Sequence, residues 1–233
     1  MKQFEEIKKE ILKRARNAGA CTKQYKRAYQ SENLETLCDV IKDNFWWCCR
    51  NNVLDGELID KYKEIFSDNK IYHNVSIESG FLLASDNSKV EASDNSTVNA
   101  YGNSTVYAYD NSTVNAYGNS KVEAYGNSTV YAYDNSTVNA YDNSKVNAYG
   151  NSTVNAYDNS KVEAYGNSTV NAYGNSTVNA SDNSTVNAYD NSYINCRSTI
   201  ECVLKDNSIV RRWDTNTIQY VSDNLKFEKK ILA

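Results

Sequence analysis
Ser96-Thr97-Val98-Asn99-Ala100-Tyr101-Gly102-Asn103 is one pass of an eight-residue pattern that runs fourteen times without insertion over residues 84–195. Written from its alanine, the consensus is Ala-Tyr-(Asp/Gly)-Asn-Ser-(Thr/Lys)-Val-(Asn/Glu/Tyr). From Ser96 to Tyr101 small or apolar side chains alternate with polar or large ones, the two-residue period of a β-strand with one buried face. The pair Gly102-Asn103, and Asp110-Asn111 in the next unit, tolerates left-handed backbone angles or closes an Asx-type turn, so it bends the chain. Each octad is one strand and one corner.

An inward set of only Ser, Val and Ala is too thin to bury enough surface alone, so octads must stack and share a core. That makes the chain mainly β, a β-solenoid. Asn fills the fourth position in every unit from Asn87 to Asn191, and stacked corners would hold these amides at roughly the 4.8 Å strand spacing. Asn103, Asn111, Asn119, Asn127 and Asn135 are therefore expected to form a structural ladder.

The third position bears on how many octads make a coil. Taken every third unit, Asp86, Asp110, Asp134, Asp158 and Asp182 are all Asp, and Gly102, Gly126, Gly150 and Gly174 are all Gly. Tyr107 and Tyr131, the only eighth-position tyrosines, are also twenty-four residues apart. This sorting favours a triangular prism with three octads, 24 residues, per coil. A duplicated 24-residue segment would leave the same trace, so two octads per coil stays open. On the three-sided geometry the five aspartates form one acidic column. Tyr109, Tyr133 and Tyr157 line one face, Tyr117, Tyr141, Tyr165 and Tyr189 another, and Tyr101, Tyr125, Tyr149 and Tyr173 the third. The acidic column and the tyrosine rows are the candidate binding features, although stacked tyrosines can serve simply to shield the corners.

The flanks read as caps. Residues 1–70 form a small all-α domain: 2–17 and 22–30 as helices, a third capped by Ser31 and running to about Asn51, and a fourth after Asp55. Residues 71–83 cap the solenoid before the repeats. Residues 196–233 are a degenerate C-terminal cap and tail, with Trp213 and Ile218 as plugs and 224–233 as a short helix or strand. Trp46 and Trp47 cannot both face the core of one helix, so one of them is expected at the surface or against the first coil.

The 233 residues include no Pro and 19 Tyr, and the net charge is −4. The repeats hold four Lys against eight Asp and three Glu, a net of −7, so the solenoid is acidic and its flanks mildly basic. No apolar run approaches a membrane span, and the first residues lack the apolar core of a signal peptide. Cys21, Cys38, Cys48, Cys49, Cys196 and Cys202 are too sparse for a disulfide scaffold, which suggests a reducing cytoplasm. Glycans on the many Asn-Ser-Thr triplets would break the corner stacking, which points the same way. With a single His, His73, no nucleophile elbow, no phosphate loop and no Cys-x-x-Cys spacing, no enzyme, cofactor or metal is expected.

The octad resembles the Ala-Gly-Tyr-Gly-Ser-Thr-x-Thr octad of bacterial ice-nucleation proteins. It departs where that activity resides: Thr-x-Thr here reads Thr97-Val98-Asn99, and Lys89, Lys121, Lys145, Lys161, Glu91, Glu123 and Glu163 interrupt the array. The whole layout, with Ile41-Lys42-Asp43-Asn44-Phe45 before the repeats and Asp223-Asn224-Leu225-Lys226-Phe227 after them, resembles octapeptide-repeat β-solenoid proteins of gut Bacteroidales and their phages. That resemblance implies a bacterial host cytoplasm. The expectation is a non-enzymatic interaction protein of phage or prophage type whose acidic solenoid engages a protein partner. Its sharper form is DNA mimicry, inhibiting a basic nucleic-acid-binding host protein that acts in defence or nucleic-acid handling. The alternatives are a self-assembling scaffold or fibre component, with homo-oligomers, and a glycan-binding module; direct nucleic-acid or membrane binding is not expected.

Overall fold
A computed structural model of the chain describes residues 2–198, 200–221 and 227–231, the last five as backbone. Six helices precede the strands among these residues: α1 (Lys2–Asn17), α2 (Thr22–Gln30), α3 (Leu34–Asp43), α4 (Phe45–Arg50), α5 (Gly56–Lys61) and α6 (Lys63–Asp68). Asp55 caps α5 through the Leu58 N–H, as its sequence position suggests. Ser31 does not cap the third helix. It ends α2, and Asn33 starts α3 in a reciprocal capping box with Thr36. The long third helix is broken at Asn44, and the fourth is broken at Tyr62.

The strands begin with β1 (Ile71–His73) and β2 (Phe81–Ala84). Each octad then contributes one four-residue strand, from β3 (Lys89–Ala92) every eight residues to β16 (Tyr193–Cys196). The series closes with β17 (Glu201–Leu204), β18 (Ile209–Arg212), β19 (Thr217–Val221) and β20 (Phe227–Ile231). Even-numbered strands β2 to β18 form one parallel sheet and odd-numbered β3 to β17 the other. Partners are in register sixteen residues apart, as in Val98 with Val114 and Val106 with Val122.

The solenoid is therefore two-sided, with two octads per coil in place of three. The cause lies at the corners. In Tyr101-Gly102-Asn103-Ser104 the Ser104 N–H bonds back to the Tyr101 carbonyl at 3.4 Å, and the third octad position is left-handed throughout, with φ 68° at Gly102 and 57° at Asp110. A four-residue turn closed in this way reverses the chain, so two corners bring it back over its start. A prism needs three gentler bends.

The Ala of every octad and its Val, replaced by Ile194 in the last, lie wholly or almost wholly inside, as do the fifth-position serines from Ser96 to Ser192. Each Val buried this way contributes roughly 1.5–3 kcal/mol. Roughly eight coils at roughly 4.8 Å each make a slab on the order of 38 Å tall.

At both ends the parallel octad pattern gives way. Ile77 bridges to Ala92 below β3, while β19 and β20 turn the first sheet antiparallel at its far end. Trp213 is not a plug: it is 53% exposed, with the Arg211 guanidinium 3.7 Å from its ring centre. Ile218 is half-buried. The tail expectation is met by a strand at Phe227–Ile231; residues 224–226 and 232–233 lie outside the described residues.

The helices pack on the N-terminal coils. Phe45 meets Phe81 edge-on at 5.2 Å, and Leu83 and Tyr101 join the helical core built on Ile7, Leu37, Ile41 and Phe66. His73 bridges helices and solenoid, with Nδ1 3.0 Å from Asp60 and Nε2 3.1 Å from Ser85. The imidazole lies across Gly56, where a Cβ would come within 2.3 Å of the ring. Trp47 packs into the helical core, whereas Trp46 reaches the solenoid and donates its indole N–H to the Tyr117 hydroxyl.

Candidate interaction surface
Corners alternate between two edges of the slab. The first rim carries Tyr101, Tyr117, Tyr133, Tyr149 and Tyr165; the second carries Tyr109, Tyr125, Tyr141, Tyr157, Tyr173 and Tyr189. In each rim consecutive rings stack nearly parallel at 4.8–5.2 Å. Two continuous stacks thus replace the three rows expected from the sequence. Of the six candidate tyrosines, Tyr117, Tyr133 and Tyr165 share the first rim and Tyr109, Tyr141 and Tyr157 the second.

The expected acidic column is divided in the same way. Asp86, Asp134 and Asp182 lie on the first rim, separated by glycines, and Asp110 and Asp158 lie on the second. A 24-residue step is one and a half coils of sixteen, so every such step changes edge. The second rim collects Asp94, Asp110, Asp142, Asp158, Asp190 and Asp206, all exposed. Acid therefore concentrates on one edge, a feature that the threefold sorting hid.

Most of these carboxylates also have a local task. Asp142 and Asp190 accept the backbone N–H of Gly126 and Gly174 one coil earlier, both at 2.9 Å. Asp158 and Asp206 reach the N–H of Asp142 and Asp190 at 3.3 and 3.2 Å. Asp134 and Asp182 do the same on the first rim. Each of these six bonds uses Oδ2 of a residue that is otherwise exposed.

The fourth-position ladder is split between edges. Asn103, Asn119 and Asn135 share the first rim, and Asn111 and Asn127 the second. Asn103 reaches Asn87, and Asn119 reaches Asn103, both at 3.4 Å. A tighter ladder that sequence reading missed lies at the eighth position on the flat faces. Asn139, Asn155, Asn171 and Asn187 connect at 2.8–2.9 Å, and Asn139 continues to Glu123 at 2.8 Å. The outward eighth position, Asn in most octads, was the available signal. On that second sheet Thr137, Thr153, Thr169 and Thr185 run beside these asparagines over four consecutive strands. The lysines and glutamates that interrupt the linear sequence leave this run intact.

The helices cover the first rim at its lower end. Tyr117 is buried there, and Arg50 sits 6.0 Å from its ring and 5.3 Å from that of Trp46. Burial pushes the Tyr117 phenol up to about 12, with the Trp46 hydrogen bond opposing; burial also raises Tyr101. Cys38, Cys48 and Cys49 lie inside the helical core, where burial raises each thiol to about 12. Among the described residues no three His, Cys, Asp or Glu side chains are grouped to hold a metal, and no helix is long and apolar enough to cross a membrane.

Comparison of the chain with known protein families, curated proteins and solved structures finds no match in any of the three.

Proposed function
We propose that the chain is a non-enzymatic binding scaffold whose second rim engages a basic protein partner. One observation carries the reading: the helices pack on the rim poorer in Asp, and the exposed opposite rim concentrates six aspartates beside six stacked tyrosines. The stack holds the carboxylates at fixed heights, so little conformational entropy is lost when a cationic groove closes on them. Closely spaced fixed acids attract such a groove over distance and weaken with salt. A protein that normally holds a nucleic-acid backbone presents a groove of this kind.

Glycan binding through the tyrosines is less favoured. A sugar packs on an aromatic face, and within each stack the ring faces are occupied by neighbouring rings, which leaves edges and hydroxyls at the surface.

Capture from a bacterial lysate at low and high salt tests the proposal, with two multiple variants as baits. One replaces Asp94, Asp110, Asp142, Asp158, Asp190 and Asp206 by Asn; the other replaces Asp86, Asp134 and Asp182 by Asn. Asn tolerates left-handed φ and keeps an acceptor oxygen, so both should retain the fold. Salt-sensitive capture of a basic protein should be lost in the first bait and kept in the second. Equal capture by both variants would refute the assignment to the second rim.

A further inference from the structure
Cys196 and Cys202 occupy, in the coil that ends the regular repeat, positions that other octads fill with apolar side chains. Cys196 ends β16 in register with Ala180, and Cys202 is second in β17 in register with Val186. Such a pair, six residues apart, lies on the inner faces of opposite sheets, as Ala100 and Val106 do within the shared core. Here both members are thiols. Cys196 is fully buried, Cys202 is half-buried, and their sulfurs lie 3.2 Å apart.

We propose that Cys196 and Cys202 form a disulfide that fastens the two sheets together at the C-terminal coil, with a small-molecule disulfide of the glutathione class as oxidant. Bond formation needs the sulfurs to close to about 2.05 Å, a local side-chain adjustment between groups already in contact.

The roles of the two thiols differ. Cys202 is the less buried residue of the two, and the hydrogen bond that the two thiols share lowers its pKa and raises that of Cys196; the nearby Arg212 guanidinium favours the Cys202 thiolate, while burial and Glu201 oppose it. Arg212 is held in place by Gln219 at 2.9 Å and the Ile200 carbonyl at 3.1 Å. Cys202 releases its proton to solvent, and its thiolate attacks one sulfur of the oxidant, expelling one glutathione thiolate. Cys196 then gives up its proton and attacks Cys202 Sγ, breaking the mixed disulfide and expelling the second thiolate. Two cysteine thiols are oxidised by two electrons, and one small disulfide is reduced to two thiols.

The test uses the full chain, reduced and then equilibrated in glutathione buffers of graded thiol-to-disulfide ratio, quenched with acid, alkylated, unfolded and digested with trypsin. Cleavage at Lys161, Arg197 and Lys205 separates residues 162–197 from 198–205, so only this bond can keep the two peptides together. The joined pair should appear at a ratio at least about tenfold more reducing than for the same chain unfolded in urea, and the oxidised chain should melt at a higher temperature. Cys196→Ala and Cys202→Val restore residues the repeat uses at these positions, so each should fold, lose the joined peptides and lose the thermal shift. Two separate, alkylated peptides at ratios where the unfolded chain is already oxidised would overturn the proposal. Linkage of either cysteine to Cys21, Cys38, Cys48 or Cys49 instead would overturn it equally.

Discussion

The Asp142 carboxylate accepts a hydrogen bond from the backbone N–H of Gly126, sixteen residues and one coil earlier, at 2.9 Å. Asp142 is itself left-handed, with φ 56°. The third octad position thus makes two demands: a backbone angle that Gly, Asn and Asp accept readily, and an acceptor for the corner N–H beneath. Asp meets both and Gly only the first. In equilibrium urea unfolding, Asp142→Asn should change stability by less than about 0.5 kcal/mol, since Asn keeps the angle and an acceptor. Asp142→Gly should cost about 1 kcal/mol for the lost bond. Asp142→Ala should cost about 2–3 kcal/mol, adding left-handed strain of about 1–2. An Ala variant as stable as the Gly variant would show that the backbone angle carries no cost there.

Tyr157 lies between Tyr141 and Tyr173, with ring centres 4.9 and 5.1 Å away. Replacing it by Ala removes two ring contacts of about 0.5–1.5 kcal/mol each, beyond the lost burial. Tyr109 ends the same stack with one ring neighbour, Tyr125, at 5.2 Å, so Tyr109→Ala should cost about half as much. Tyr157→Phe keeps the ring and should lie within about 0.5 kcal/mol of the parent. Melting temperatures of the three variants decide the matter, and equal losses at Tyr109 and Tyr157 would remove stacking as the cause.

The strand, its inward Ser, Val and Ala, and the outward Thr and Asn were legible in the alternation of a single octad. The number of octads per coil was not. Asp110 and Gly102 adopt nearly the same left-handed angle, 57° and 68°, so exchanging Asp for Gly does not change the corner, and their 24-residue sorting carries no geometric information. Tyr and Asn, which must stack, are present in nearly every unit and so mark no period. The informative signal was the four-residue string Tyr-(Asp/Gly)-Asn-Ser, a turn closed from its last N–H to its first carbonyl. Treated as a full reversal instead of a bend, it requires two corners per coil, and the acidic rim follows directly. The docking of Trp46 on Tyr117 joins residues 71 positions apart, and no local pattern encodes it.

Buried serines at one octad position divide into two kinds. Ser144 donates to the Tyr141 carbonyl at 2.6 Å and lies 3.0 Å from that of Ala124. The equally buried Ser152 hydroxyl has no hydrogen-bond partner. Ser144→Ala should therefore destabilise by about 1 kcal/mol, whereas Ser152→Ala removes an unsatisfied polar group and should be neutral or stabilising by up to about 1 kcal/mol. Urea midpoints at unchanged slope test the difference. The same loss at both sites would mean that the Ser152 hydroxyl is satisfied in solution.

Tyr117 couples the fit of the helices to pH. Burial, the larger effect, moves its phenol from 10.0 to about 12 against the opposing Trp46 bond, and Tyr101 shifts the same way for the same reason. The folded chain therefore keeps its proton at a pH where the unfolded chain has lost it. A folded pKa above the unfolded one contributes stability that is fully present below about pH 10 and declines as the pH rises from about 10 towards about 12. Ultraviolet phenolate titration should show a subset of the 19 tyrosines ionising late in the native chain and with the rest in urea. Tyr117→Phe should flatten the decline in stability across that interval, although it loses the Trp46 bond at every pH. If all the tyrosines ionise together near pH 10 while the helices stay docked, the rim beneath α4 is wetter than its packing implies, and the coupling fails.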